Sequence, residues 1–155
     1  MRMKASGRVV AVNISPAKGM RKTNVGRSCL IPEFGLQEDA HAGKWHRQIS
    51  LLAIESIRKM IQLGLQVGPG DFAENITTEG LDLLQLPIGT KCRIGETSLI
   101  EVTQIGKVCH SRCAIYYQAG DCVMPKEGIF ARDLKGGEIQ VGDEIHVLGG
   151  DSDLK

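Results

Sequence analysis

The chain has 155 residues, 42% of them hydrophobic and 24% charged, and its formal net charge is +1. That length suits one domain with a real core and is short for two. The near-neutral and scattered charge argues against a nucleic-acid-binding protein, which ordinarily carries a larger basic excess. Aromatic residues are only 4%, so the core must be built from Val, Ile and Leu, and the 19 glycines call for many turns. Many turns between β-branched runs point to many short strands. Arg2 and Lys4 are followed only by Val9–Val12 before Asn13. This is too short for a secretory core and reads as a first strand. No stretch approaches membrane-spanning length, so no membrane role is expected. The five cysteines (Cys29, Cys92, Cys109, Cys113 and Cys122) are odd in number and lack the spacing of a secreted scaffold. A reducing, cytoplasmic setting is the simpler expectation.

In chain order, residues 7–14 alternate and predict a strand. Ser15 to Asn24 reads as a polar loop, and the basic stretch Lys18 to Arg27 as either a solvated surface or an anion contact. Val25 to Ile31 predicts a second strand, limited by Pro32. Residues 35–48, GLQEDAHAGKWHRQ, form a polar connection with two histidines and the only tryptophan. In it, Glu38 and Asp39 read as turn and surface carboxylates.

Ile49 to Leu63 has helical spacing, with Leu51, Ile54, Ile57 and Ile61 on one face. Glu55 is placed to pair with Lys59 and Gly64 to stop the helix. Its first residues, Ile49 to Leu52, also suit a strand. Gly68-Pro69-Gly70 is a break, and DFAENITTEG after it reads as a polar loop. Lys91 to Ile94 should pair with Leu99 to Gln104 across Gly95-Glu96. Glu138 to Val147 shows two alternating runs about a Gly-Asp turn, as at the corner of a small barrel, and His146 should point outward. Residues 149–155 read as a frayed tail behind one domain over residues 1–148. The whole predicts a mainly β chain with one or two helices, a barrel first and an open α+β sheet second.

Residues 101–113, EVTQIGKVCHSRC, carry the most chemistry. Cys109 has Lys107, His110 and Arg112 close in sequence, and nearby positive charge favours thiolate. A thiolate can carry sulfur as a persulfide or bind a soft metal. A small buried cysteine at a strand end fits the same residues. Cys109, Cys113 and Cys122, with His110 or His41, offer a weaker zinc or iron–sulfur reading, because paired C-x-x-C ligands are missing. His41, Lys44, His46 and Arg47 make a cationic cluster suited to an anion such as phosphate. A solvated loop is the plainer alternative. Asn75, Thr77 and Thr78 offer amide and hydroxyl partners for a pterin ring or a phosphate, or serve local turns.

Gly35 to Leu52, Asp71 to Leu81, Leu86 to Gln104, Lys107 to Cys113 and Gly128 to Val147, taken in order, resemble the MOSC family. That family is named for the C-terminal domain of molybdenum cofactor sulfurases, and the likeness is to its stand-alone type. The resemblance implies a compact β-barrel with flanking helices and the molybdenum cofactor (molybdopterin) as ligand. It places the family's cysteine on Cys109, as sulfur carrier or molybdenum ligand. It puts Arg47, Gln48, Asn75, Thr77 and Thr78 where pterin and phosphate would be held, with His41, Lys44 and Thr103 beside them. It also implies a pyridoxal-phosphate-dependent cysteine desulfurase or a molybdoenzyme as partner. The expected role is delivery of sulfur or cofactor. The alternatives are a small molybdenum-dependent reductase of N-hydroxylated compounds and the zinc or iron–sulfur protein. Val108 stands where some relatives have proline, and Cys113 and Cys122 lie outside the family pattern.

Overall fold

The computed structural model describes residues 6–17, 20–106 and 127–148. Its strands are β1 (Ser6–Ile14), β2 (Thr23–Asn24), β3 (Arg27–Ile31), β4 (Gly35–Leu36), β5 (Ile49–Ala53), β6 (Ile76–Glu79), β7 (Lys91–Ile94), β8 (Ser98–Ile105), β9 (Ile129–Lys135), β10 (Gly137–Gln140) and β11 (Glu144–Leu148). One α-helix, α1 (Ile54–Gln62), and one 3-10 turn at Leu83–Gln85 complete the described elements.

Seven strands close a barrel in the order β11-β7-β8-β9-β5-β6-β1, with β1 pairing back onto β11. Closure removes the sheet edges and rules out the open α+β sheet. β2 hangs from β1, and β10, β3 and β4 form a small second sheet. The two runs about Gly142-Asp143 are not one hairpin: β10 pairs with β3, whereas β11 pairs with β7 and β1. The Gly-Asp turn is therefore a corner between sheets, as its rhythm implied.

β5 shows why Ile49 to Leu52 is ambiguous in sequence. All five of its residues are buried, because the strand has core on both faces. Ile49 and Leu51 point into the barrel, where Val9, Ile76, Ile100, Ile129 and Ile145 pack around them. Leu52 points outward, into a second core with Ile57, Met60, Phe72 and Phe130. A strand buried on both sides loses its alternation and imitates one side of a helix. The helix thus starts at Ile54, five residues later than its periodicity suggests. Ile54, Ile57 and Met60 form the buried face, and Ile61 is exposed. Glu55 does not pair with Lys59; its carboxylate accepts from the amide of Gly80, while Lys59 reaches Glu127. Gly64, with φ +97°, ends the helix as expected.

The DFAENITTEG stretch is also not a loop throughout. Ile76–Glu79 is a central strand, antiparallel to β1 and parallel to β5. Its β-branched Ile-Thr-Thr run suits a pleated wall, and the Thr77 hydroxyl is satisfied by Asn13 and Glu74 instead of water. Gly70 makes the turn before it possible: its φ is +89°, and a Cβ there would lie 2.2 Å from the carbonyl oxygen of Lys22. No helix among the described residues is long and apolar enough to cross a membrane.

Candidate functional site

Two polar constellations meet along the connection from Asp39 to Gln48. The first lies on the barrel rim at the end of β8. Register slips between Val102 and Gln104, so Thr103 is the extra residue of a bulge opposite Ala131 and Phe130. A bulge re-aims side chains. Here Thr103 Oγ1 donates to the backbone carbonyl of His46, and Gln104 turns to the same loop. Gln104 Oε1 lies 2.8 Å from His46 Nε2 and accepts from Arg47 Nε at 3.0 Å. Gln104 Nε2 donates to the carbonyl of Gly106 at 2.7 Å. The Arg47 guanidinium lies 5.1 Å from the Phe130 ring centre and 6.0 Å from that of Trp45, in cation–π range. Lys44, Trp45 and His46 are exposed.

This rim is the root of the segment that carries Cys109. The amide of Gly106 donates to the carbonyl of Gly128, closing its base. Glu127, on the returning side, accepts from Ser56 Oγ at 2.7 Å and Lys59 Nζ at 2.9 Å. Cys109, Cys113 and Cys122, with Lys107, His110 and Arg112, lie outside the described residues, as does the 149–155 tail. Among the described residues, no three His, Cys, Asp or Glu side chains are grouped to hold a metal ion.

The second constellation is buried. Lys22, expected in a solvated loop, has no exposed side-chain surface, and neither has Asp39. Lys22 Nζ donates to Asp39 Oδ1 at 2.7 Å and to Ser15 Oγ at 3.1 Å. It lies 2.9 Å from His41 Nδ1. An ammonium only donates, so Nδ1 of His41 accepts, and the three protons of Lys22 meet three acceptors. Burial raises the Asp39 pKa, but the bonds from Lys22 and Asn75, the Lys22 charge and the Ser15 amide outweigh it and hold the carboxyl low. Asp39 is thus an internal ion-pair partner, not a surface carboxylate.

Asn75 continues this network. Its Oδ1 accepts from the amide of Ser50 at 2.9 Å, and its Nδ2 donates to the carbonyl of Asn13 at 3.2 Å. Asn13 Nδ2 donates to Thr77 Oγ1, which donates to Glu74 Oε2 at 2.6 Å. Glu74 is wholly buried, and burial pushes its carboxyl pKa up against the bonds from Gly70 and Thr77. Thr78 is buried too, with its hydroxyl unpartnered among the described residues. Gln48 Oε1 accepts the amide of Asp133 at 2.8 Å. Asp133 itself lies inside the barrel with neither carboxylate oxygen partnered among the described residues. Burial, then the charge of Glu33, pushes its pKa to about 7.

The structure therefore divides the residues that the sequence singles out. Arg47 and Thr103 come together on the rim, with exposed Lys44 on the same loop. His41 belongs to the Lys22 pair. Gln48, Asn75 and Thr77 are bonded inside the wall. Sequence reasoning missed Gln104 as the organiser of the rim, and also Lys22, Asp39, Asn13, Glu74 and Asp133. Gln104 falls in phase with buried Ile100 and Val102, a polar residue where the pattern calls for an apolar one, whereas nothing in the local pattern marks Lys22 as buried.

The described fold is shared with solved structures of low identity. The YuaD protein from Bacillus subtilis superposes with a TM-score of 0.76 at 17% identity, covering 92% of this chain and 95% of that one. YiiM from Geobacillus stearothermophilus gives 0.67 at 19%, covering 92% and 75%. YiiM from Escherichia coli gives 0.60 at 21%, covering 97% and 71%. No curated protein matches the chain. The MOSC domain family model matches residues 38–146, from near the start of the polar connection into the last barrel strand. The chain belongs to the MOSC domain family, a family associated with the molybdenum cofactor.

Proposed function

We propose that this chain is a module that binds the molybdenum cofactor or carries sulfur for it, with the 44–47 rim as its anion-holding wall and Cys109 as its working thiol. One observation carries the reading: His46 and Arg47 are both fixed to Gln104, two residues before Gly106, from which the chain leaves toward Cys109. Cationic side chains and the only family cysteine thus share one root.

The residues present fit an anionic pterin phosphate in part. Lys44 and His46 are exposed, and Arg47 is tethered by Gln104 with its guanidinium 5.1 Å from the Phe130 ring centre, a donor fork suited to a phosphate. Thr103 fixes the loop through its bond to His46. Gln48, Asn75 and Thr77 act through the wall, because their polar atoms are engaged inside it. When bound, the cofactor would supply a molybdenum centre that a soft thiolate could ligate, or to which a persulfide on the same cysteine could pass its outer sulfur. The chain's residues bind and orient it. A pyridoxal-phosphate-dependent cysteine desulfurase as sulfur source, or a molybdoenzyme as recipient, belongs to the same proposal.

The test is mass spectrometry and metal analysis of the purified protein. Bound pterin, molybdenum, or one extra sulfur on Cys109 that is lost in Cys109→Ser supports the reading. Stoichiometric zinc or iron with neither pterin nor persulfide overturns it in favour of a cysteine-ligated metal protein. Turnover of a hydroxylamine by the cofactor-loaded protein would make it a reductase instead of a carrier.

A further inference from the structure

Among the described residues, Asp133 is the carboxylate that is fully buried with neither oxygen partnered. It follows Ile129 and Ala131 on the inward face of β9, and Ile100 of β8 stands opposite it. Arg47 and Arg132 lie on the outer face of the same strand. The Arg47 guanidinium sits over Phe130, and Arg132 donates to Glu101 at 2.7 Å and lies 3.6 Å from Glu33. Lys135 is exposed, β5 carries no charge, and Cys92 of β7 is separated from Asp133 by Ile100. The charge that bears on Asp133 is that of Glu33, and it repels.

The backbone of Asp133 meanwhile ties two loops together. Its amide donates to Gln48 Oε1 at 2.8 Å, and its carbonyl accepts the amide of Glu33 at 2.7 Å. Gln48 follows Arg47 of the rim, and its own carbonyl packs on Gly35, where a Cβ would lie 2.5 Å away. The same turn holds the rim loop a second time, because the amide of Gly43 donates to the carbonyl of Phe34 at 2.7 Å. The Glu33 turn and the base of the rim loop thus close one end of the barrel around a single carboxyl group. A neutral carboxyl is far less costly there than a carboxylate, which needs donors that the described wall does not supply.

We propose that Asp133 is a proton-operated latch on the 44–47 rim. With its proton it stays sealed beneath Gln48 and the Glu33 turn. Without it, water must reach the carboxylate, so this end of the barrel opens and frees the base of the rim loop. The proton passes to solvent. Burial, then Glu33, pushes the Asp133 pKa to about 7, which sets the latch across the weakly acid to neutral range. The reading of the rim as an anion-holding wall enters only through the consequence, a firmer hold in weak acid.

Hydrogen exchange of the purified protein across that pH range reads the latch without any cofactor. The amides of Asp133, Glu33 and Gly43 should report one shared opening. Corrected for hydroxide catalysis, that opening should grow by about tenfold per pH unit through weak acid and level off above about 7. Amides of the β7–β8 hairpin should stay more protected throughout, since the opening is local. Asp133→Asn keeps the shape of the neutral acid and cannot ionise, so its three amides should hold the weak-acid level of opening at every pH. A wild-type opening that does not change with pH, the same rise in Asp133→Asn, or a Gly43 amide that opens only with the β7–β8 hairpin overturns the proposal. If the latch is found while no pterin, molybdenum or persulfide ever is, the proposed function fails and the latch stands.

Discussion

Lys22 and Asp39 form an ion pair of 2.7 Å with no solvent-exposed side-chain surface on either partner. The pair joins the turn before β2 to the start of the 39–48 connection, and through His41 it anchors the loop that carries the rim cations. A buried pair of this kind adds little over a well-packed apolar pair, but breaking it leaves a charge stranded in the interior.

Lys22→Met should therefore cost about 3–5 kcal/mol in urea unfolding, the usual range for removing one partner of a buried pair. The double variant Lys22→Met with Asp39→Leu should recover part of that loss. A single-variant loss below about 1 kcal/mol would mean that the pair is not a structural element. The sign for pH follows from the depressed carboxyl of Asp39: its contribution is present above the unfolded carboxyl range and is lost as pH falls through the lower folded value.

Asp133 has the opposite sign. Burial, then Glu33, moves it from 3.8 to about 7, so between those values the folded chain keeps a proton that the unfolded chain has released. Its contribution is complete below 3.8 and lost as the pH rises through about 7, with a slope approaching about 1.4 kcal/mol per pH unit. Glu74, also raised by burial, adds to the same trend. Asp133→Asn should flatten the fall in stability between weakly acid and neutral pH. Denaturation midpoints across that range would check it, and a wild-type curve that rises toward neutral would refute it.

Cys29 and Cys92 should separate in a native-state labelling experiment. Cys29 is exposed on β3, whereas Cys92 is 3% exposed in the barrel core with its thiol pushed to about 11 by burial. Thiolate is the reactive form, and a buried thiol of raised pKa offers almost none. Near neutral pH, iodoacetamide should modify Cys29 and spare Cys92 until the protein is unfolded. Equal labelling of both in the native state would place Cys92 outside the core.

Much of the wall was legible because strands that face water on one side keep their alternation. β1, the β7–β8 hairpin and the corner at Gly142-Asp143 are written in patterns of two. β5 and β6 were harder for opposite reasons. β5 is buried on both faces and so reads as an apolar run, while β6 carries Thr77 and Thr78, whose polarity suggests water although both are buried, Thr77 against Asn13 and Glu74.

By itself, then, the sequence determined a β-rich fold of the MOSC family, the helix stop at Gly64 and a cationic stretch from His41 to Arg47. Those properties rest on local periodicity, composition and the order of segments. Only the tertiary structure decided that Lys22 is interior, that Asn75 and Thr77 are wall residues, and that Gln104 gathers His46 and Arg47. Each of these is a contact between residues more than ten positions apart, made when a closing barrel brings loops to one rim. No pattern along the chain records which side chains such closure will press together.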